Sequence, residues 1–264
     1  MLTADCFARE LLKGKAAFVT GGGTGICRGI ALALASHGCD VAIASRKAEH
    51  LDGTAQEIRQ RGVRAVATAA DVRDPAAVDQ AIGACVAEFG RLDILVNGAA
   101  GNFICTAENL SPNGFGTVVD IDLKGTFNVS RAALPHLKAR GGSVVNISAT
   151  LQYLGTLGQA HVSSAKAGID SLTRVLACEW GPYGIRVNGI APGPIDGTEG
   201  VRRLTTPASR AAALANCPLG RMGEVDDIAN ATLFLCSEAA SFVNGVTLVV
   251  DGGLWLRSAR ILGE

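Results

Sequence analysis

The stretch Thr20-Gly21-Gly22-Gly23-Thr24-Gly25-Ile26-Cys27 follows a short apolar run and leads straight into a helical pattern. Glycines so placed let the backbone approach a pyrophosphate, and the free N–H groups and dipole at a helix start favour the anion. A turn of this composition signals little alone; between a first strand and a first helix it is specific. Gly21, Gly23, Thr24, Gly25 and Ile26 are therefore the candidate dinucleotide cradle. A second chemical signal closes the next apolar run, Ala44-Ser45-Arg46-Lys47. An acidic residue there would bind the ribose hydroxyls of NAD, and none is present. Arg46 can make charge-assisted hydrogen bonds to a 2′-phosphate, with Ser45 adding a hydroxyl. The alternative, a solvated basic turn, leaves the missing acid unexplained, so the residues favour NADP(H).

These groups need a scaffold, and the hydrophobic pattern supplies one. Apolar runs at Ala16–Thr20, Asp40–Ser45, Arg64–Ala69, Ile94–Asn97, Ser143–Ser148, Arg186–Ala191 and Thr247–Val250 read as seven strands. Helical periodicity fills Gly25–Ser36, Ala48–Arg61, Pro75–Phe89, Pro112–Arg140, Val162–Trp180 and Glu224–Ser237. Gly193 to Leu219 reads as a looser segment. A long loop in a compact fold is usually functional, often a lid. Its Arg202, Arg203 and Arg210 suit either phosphate contacts or solvent. Continuous apolar strands alternating with helices predict an α/β class, a doubly wound parallel sheet covered on both faces. Ligands are expected at the carboxyl ends of its strands. One domain over residues 1–264 accommodates the whole pattern.

Composition removes several classes. With 24 basic and 24 acidic residues the formal net charge is zero, which offers no footprint for nucleic acid. No apolar run reaches the about 20 residues needed to span a bilayer, so no membrane role is expected. Met1 to Lys13 carries scattered charges and no apolar signal core. Eight cysteines are scattered and never spaced Cys-x-x-Cys, so neither a metal site nor a disulfide framework is expected. Reduced structural thiols place the chain in a reducing cytosol. The ending Ile261-Leu262-Gly263-Glu264 is not a Ser-Lys-Leu address and favours a bacterial cytosol over a peroxisome.

Several ordered motifs carry a resemblance: Thr20-Gly21 with Gly25-Ile26, Asp71-Val72, Asn97-Gly98-Ala99-Ala100-Gly101, Asn146-Ile147-Ser148, Ser164-Ala165-Lys166-Ala167-Gly168, Pro192-Gly193-Pro194 and Asp251-Gly252-Gly253. From about Leu12 to Trp255 the chain resembles the short-chain dehydrogenase/reductase family, which implies a Rossmann fold. The resemblance also implies that Asp71 and Val72 flank the adenine and that Asn97, Ala99 and their neighbours lie beside the cofactor ribose. Lys166 would bind the nicotinamide ribose, Pro192 and Gly193 would contact the cofactor, and Ile195 and Thr198 would lie near the carboxamide. It implies a homotetramer built through the long helices and the C-terminal strand region. Cys27 stands where the family has its third glycine.

The chemistry departs at one position. Four residues before Lys166 the family's carbonyl reductases carry a proton-donating tyrosine; here that residue is Val162, preceded by His161. Tyr153 lies thirteen residues before Lys166 and Tyr183 follows the helix, so neither has the spacing. The strings Asn97 to Phe103, Asp120-Ile121-Asp122, Gly125 to Arg131, His161 to Lys166, Glu179-Trp180-Gly181 and Gly197-Thr198-Glu199-Gly200 resemble the 2,4-dienoyl-CoA reductases. The peroxisomal branch, which also lacks the tyrosine, is nearest. That resemblance implies an acyl-CoA substrate, with Asn102, Phe103 and His161 beside it. Asp122 and Lys166 would act together through water, and Ser148 would orient substrate or water. Each residue also has a plainer reading: Asp122 as a helix brace, His161 as a core histidine, Asn102 and Phe103 as loop residues. Three functions stay open: a dienoyl-CoA reductase, a reductase of another carbonyl or enoyl substrate, and a nucleotide-binding protein without turnover.

Overall fold

A computed structural model describes residues 6–256. Its strands are β1 (Ala16–Thr20), β2 (Asp40–Ser45), β3 (Ala65–Ala69), β4 (Ile94–Asn97), β5 (Gly142–Ile147), β6 (Ile185–Pro192) and β7 (Thr247–Val250). They form one sheet in the order β3-β2-β1-β4-β5-β6-β7, and all six pairings are parallel. The order reverses between β1 and β4, so a crevice opens at their carboxyl ends, where such sheets bind ligands. This is the expected doubly wound Rossmann fold.

Alternation along each strand sends side chains to two separate cores. Ala17, Val19, Val41 and Ile43 pack with helices α1 (Gly25–Ser36), α2 (Asp52–Arg59) and α9 (Val225–Cys236) on one face. Ala16, Phe18, Ala42 and Ala44 pack with α3 (Pro75–Phe89), α5 (Gly125–Lys138) and α6 (Ala160–Trp180) on the other. Burying one large side chain such as Phe18 or Ile43 contributes about 1.5–3 kcal/mol. Both faces are apolar because both are covered, which is why the strands read as continuous hydrophobic runs.

Boundaries follow local chemistry. Asp74 accepts from the N–H groups of Ala76 and Ala77 to start α3 at Pro75, and Gly90 at φ +72° ends it. Ser111 caps α4 (Pro112–Val119) through the Gly114 N–H. Two expectations change. The helix expected over Pro112–Arg140 is interrupted: a wider π-type turn over Asp120–Lys124 separates α4 from α5. Such a turn holds one extra residue and rotates the helix beyond it. The looser Gly193–Leu219 segment contains α7 (Glu199–Leu204), capped by Thr198, and α8 (Pro207–Asn216), opened by a Thr206–Ser209 capping box. Its arginines divide as well: Arg210 pairs with Asp196 and Arg203 with Glu199. Among the described residues, Arg202 has no ion pair.

Candidate active site

The glycine turn after β1 has the form a dinucleotide needs. Gly21 (φ +72°) and Gly25 (φ +55°) adopt left-handed backbone that disfavours other residues. A Cβ on Gly23 would lie 2.6 Å from the His50 carbonyl, so the turn packs flat on its neighbour. Thr24 opens α1 without a side-chain cap and no acid occupies the first turn, so the first amides stay free for an anion. Ile26 half-buries against the core below. The residues present therefore fit a dinucleotide pyrophosphate.

Cys27 fits its unusual place because of Gly98. A Cβ on Gly98 would stand only 2.1 Å from the Cys27 sulfur, so the thiol fills the space that glycine leaves. Burial pushes the Cys27 pKa up to about 12, with the charge of Lys166 opposing. Thr20, which the sequence reading did not single out, fixes the next strand end: its hydroxyl accepts from the Gly98 and Ala99 N–H groups at 2.9 and 3.2 Å.

At the outer end Arg46 is exposed and makes no hydrogen bond or ion pair among the described residues, while Ser45 donates to the Lys47 carbonyl. Asp71 is held by Arg73 at 2.6 Å, and that hydrogen bond lowers its pKa. Val72 packs its side chain into the core against Gly125, and its carbonyl accepts from the Asn128 amide at 3.0 Å. Asn97 likewise turns inward. Its amide donates to Ser130 and to Asn146, both at 2.9 Å, bracing β4 against α5 and β5. Across the crevice, the Gly193 N–H bonds Val250 after Pro192. Ile195 is buried, and Thr198 donates to its carbonyl at 2.7 Å. The Thr198 methyl carbon lies 4.0 Å from the position of a Cβ on Gly25, so this loop closes over the glycine turn.

The chemical centre lies deeper. Lys166 donates to the Ile147 carbonyl at 2.9 Å, and its Nζ stands 3.2 Å from Asp122 Oδ2. Asp122 is fully buried and its Oδ1 accepts the Gly101 N–H at 2.7 Å. The two charges are in direct contact because the π-type turn delivers Asp122 inward. Asp120 faces out to Lys124. Ser148 is buried and its Oγ accepts from Gln152 at 2.8 Å. Val162 is core. Neither tyrosine replaces it. Tyr153 donates to Asp170 at 2.7 Å, and burial and that carboxylate raise its pKa. Tyr183 lies under Lys138.

The loop after Gly101 packs on the start of α6. Asn102 donates to Gln159 Oε1 at 2.7 Å, Gln159 donates to the Phe103 carbonyl at 3.1 Å, and the Phe103 ring stacks on His161 with centroids 4.3 Å apart. Gln159 ties these residues together, yet the sequence reading missed it; its only signal is a polar side chain just ahead of α6.

All eight thiols are free, five of them buried. Among the described residues, no helix is long and apolar enough to cross a membrane.

A family model described as enoyl-(acyl carrier protein) reductase matches residues 21–255. A peroxisomal 2,4-dienoyl-CoA reductase of Danio rerio, described as (3E)-enoyl-CoA-producing, is 50% identical over 97% of this chain and 88% of that protein. Its Arabidopsis thaliana namesake is 46% identical over 97% of this chain and 89% of that protein. A solved 7α-hydroxysteroid dehydrogenase, complexed with NADH and 7-oxo glycochenodeoxycholic acid, superposes with a TM-score of 0.89 at 32% identity, covering 96% of this chain and 98% of that one. The cytosolic setting expected from the sequence is thereby corrected, since these dienoyl-CoA reductases are named peroxisomal. Free thiols do not distinguish one reducing compartment from another, and the Ile261–Glu264 ending lies outside the described residues.

Proposed function

The chain belongs to the short-chain dehydrogenase/reductase family, and we propose that it reduces 2,4-dienoyl-CoA thioesters to 3-enoyl-CoA with NADPH, an auxiliary step in unsaturated fatty-acid breakdown. The observation that carries this reading is the buried Asp122–Lys166 pair in a site whose tyrosine position is Val162. An alkoxide-forming ketone reduction needs a proton donor at the oxygen of the attacked carbon. A dienoyl thioester does not: charge spreads to the thioester oxygen as an extended enolate, and the proton goes to carbon.

Bound NADPH supplies the hydride, which adds at the far end of the conjugated system. Gly21, Gly23, Thr24, Gly25 and Ile26 would cradle its pyrophosphate, and Arg46 would select the 2′-phosphate, with Ser45 joining it once its hydroxyl turns from the Lys47 carbonyl. The backbone of Asp71 and Val72 borders the adenine, and Asn97 and Ala99 set the wall beside the ribose. Lys166 holds the nicotinamide ribose, while Pro192, Gly193, Ile195 and Thr198 close over the carboxamide. Asp122 keeps Lys166 in place and, with it, holds and passes the proton that reaches the α-carbon by way of water. Ser148 accepts from Gln152, so its own hydrogen is free to orient substrate or water. Asn102, Phe103 and His161 line the acyl side.

The chain acts as one domain around its single sheet and assembles as a homotetramer. Exposed Phe127 and Val175 on α5 and α6, with Phe242 and Val246 beside β7, support interfaces on those two faces.

The test follows NADPH oxidation with 2,4-decadienoyl-CoA and with simple ketones. Turnover of the dienoyl thioester alone supports the proposal. Turnover of ketones alone refutes it, as does tight NADPH binding without turnover.

A further inference from the structure

Most buried polar atoms of this protein are paired, as expected for a native interior. Among the described residues seven keep a buried side-chain polar atom without a hydrogen bond, and His161 alone keeps two. It has no exposed surface, and neither Nδ1 nor Nε2 has a hydrogen-bond partner. In either protonation state an imidazole carries at least one N–H. A buried donor is therefore left orphaned, at a cost of about 1–3 kcal/mol, where an apolar ring of similar shape would cost nothing. The ring is also well fixed, lying against Phe103 at 4.3 Å with planes 30° apart.

Its surroundings say what the missing partner is. The segment Gly101–Phe103 links His161 to the chemical centre: Gly101 donates to Asp122, Asn102 is bonded to Gln159, and Phe103 stacks on His161. Along it lies one further buried acceptor without a hydrogen bond, Asn102 Oδ1, while Asp122 Oδ2 faces the Lys166 ammonium at 3.2 Å. Orphaned polar atoms on one continuous strip describe a site built for a polar guest. His161 sits in the first turn of the 21-residue α6, which has no side-chain cap, so the helix dipole favours negative charge there. Of the other groups nearby, Val162 offers no donor and Lys166 is engaged by Ile147 and Asp122, while the Ser148 and Ser163 hydroxyls keep a free hydrogen but lie outside the Gly101–Phe103 strip and its stack on His161.

We infer that an N–H of His161 donates to the carbonyl oxygen of the substrate thioester, stabilising the enolate as hydride adds at the far end of the dienoyl system. This rests on the dienoyl-CoA reading of the site and assigns the oxygen-binding donor which that reading leaves open. Electron density moves from the incoming hydride along the conjugated chain to the thioester oxygen. It returns when the α-carbon takes a proton, so His161 holds charge without giving up its hydrogen.

The experiment compares wild type, His161→Phe and His161→Gln as full-length proteins. It measures turnover of 2,4-decadienoyl-CoA, the NADPH dissociation constant by fluorescence, and the thermal midpoint. The phenylalanine keeps the stack on Phe103 and removes both nitrogens. Expected are a kcat lower by about 10²–10³-fold, typical for loss of one such donor, unchanged NADPH affinity, and a thermal midpoint equal to wild type or higher. Glutamine, which retains an N–H, should recover at least about tenfold of that loss, within the range one donor commands. A structural histidine would show the reverse, with a lower midpoint in His161→Phe and no rescue. Wild-type turnover matched by His161→Phe overturns the inference alone; a wild type inert toward the dienoyl thioester overturns the functional reading, and the inference with it.

Discussion

Replacing Asp122 separates its chemical from its structural work. The carboxylate is fully buried and holds two partners, the Lys166 ammonium at 3.2 Å and the Gly101 N–H at 2.7 Å. Asp122→Asn keeps the shape and an oxygen for Gly101 but removes the charge. Removing one partner of a buried ion pair costs about 3–5 kcal/mol, because the other charge is stranded. For a chain of this size each kcal/mol moves the thermal midpoint by about 2–4 °C, so a fall of roughly 6–20 °C is expected. Asp122→Ala also strips Gly101 of a charged acceptor worth about 1.5–3 kcal/mol and should melt lower still. In turnover the two variants should look alike, since both lack the group that handles the proton: a loss of about 10²–10⁴-fold is typical of a positioned acid–base group. The assay pairs dienoyl-CoA turnover with NADPH binding, both measured below the lower midpoint. NADPH affinity should stay near wild type. Wild-type turnover in Asp122→Asn refutes the proton role outright, and equal losses of turnover and NADPH affinity reduce Asp122 to a brace for Lys166.

Three further outcomes rest on the same geometry. Arg46→Ala should raise the NADPH KM by about 10–100-fold while leaving the NADH KM unchanged, since one charge-assisted hydrogen bond is worth about 1.5–3 kcal/mol; unchanged preference would remove Arg46 from cofactor selection. Gly98→Ala drives a methyl to 2.1 Å from the Cys27 sulfur, so it should destabilise by about 1–3 kcal/mol. Adding Cys27→Gly should restore most of that loss; a thermal melt showing additive losses would contradict this packing. Burial pushes Cys27, Cys85 and Cys236 up to about 12 from an ordinary value of 9.0. The fold favours their neutral form, so this contribution to stability is intact below pH 9 and lost as pH rises from 9 toward 12. A thermal midpoint that holds steady across that range would count against it.

Much of the scaffold was legible because local and global signals agree. Continuous apolar strands, Pro75 after Asp74, Gly90 past Phe89 and the glycine turn each act over a few residues and survive any tertiary context. The features that escaped detection depend on neighbours remote in sequence. The capped helices α7 and α8 are short and lack buried faces, so their periodicity is weak and their caps read as turn residues. Gln159 acquires its role only because Asn102 and Phe103, more than fifty residues earlier, fold onto it. Thr20 opens the glycine motif in sequence, yet its hydroxyl serves the end of β4 and not the turn it precedes.

Val162 and the π-type turn explain each other. In an unbroken helix, burying Ile121 would carry Asp122 a further 100° around the axis, away from the same interior. One extra residue in the turn lets both adjacent side chains be buried, at 6% and 0% exposure. That arrangement brings a carboxylate to within 3.2 Å of the lysine. A phenol four residues before Lys166 would place the proton at an oxygen on the attacked carbon. The Asp122 carboxylate lies instead with the loop that leads through Asn102 and Phe103 to His161, and so with the side proposed for the acyl chain. With the tyrosine gone and that carboxylate present, the site is suited to a substrate whose final proton goes to carbon, which is the requirement that separates a conjugated thioester from a ketone.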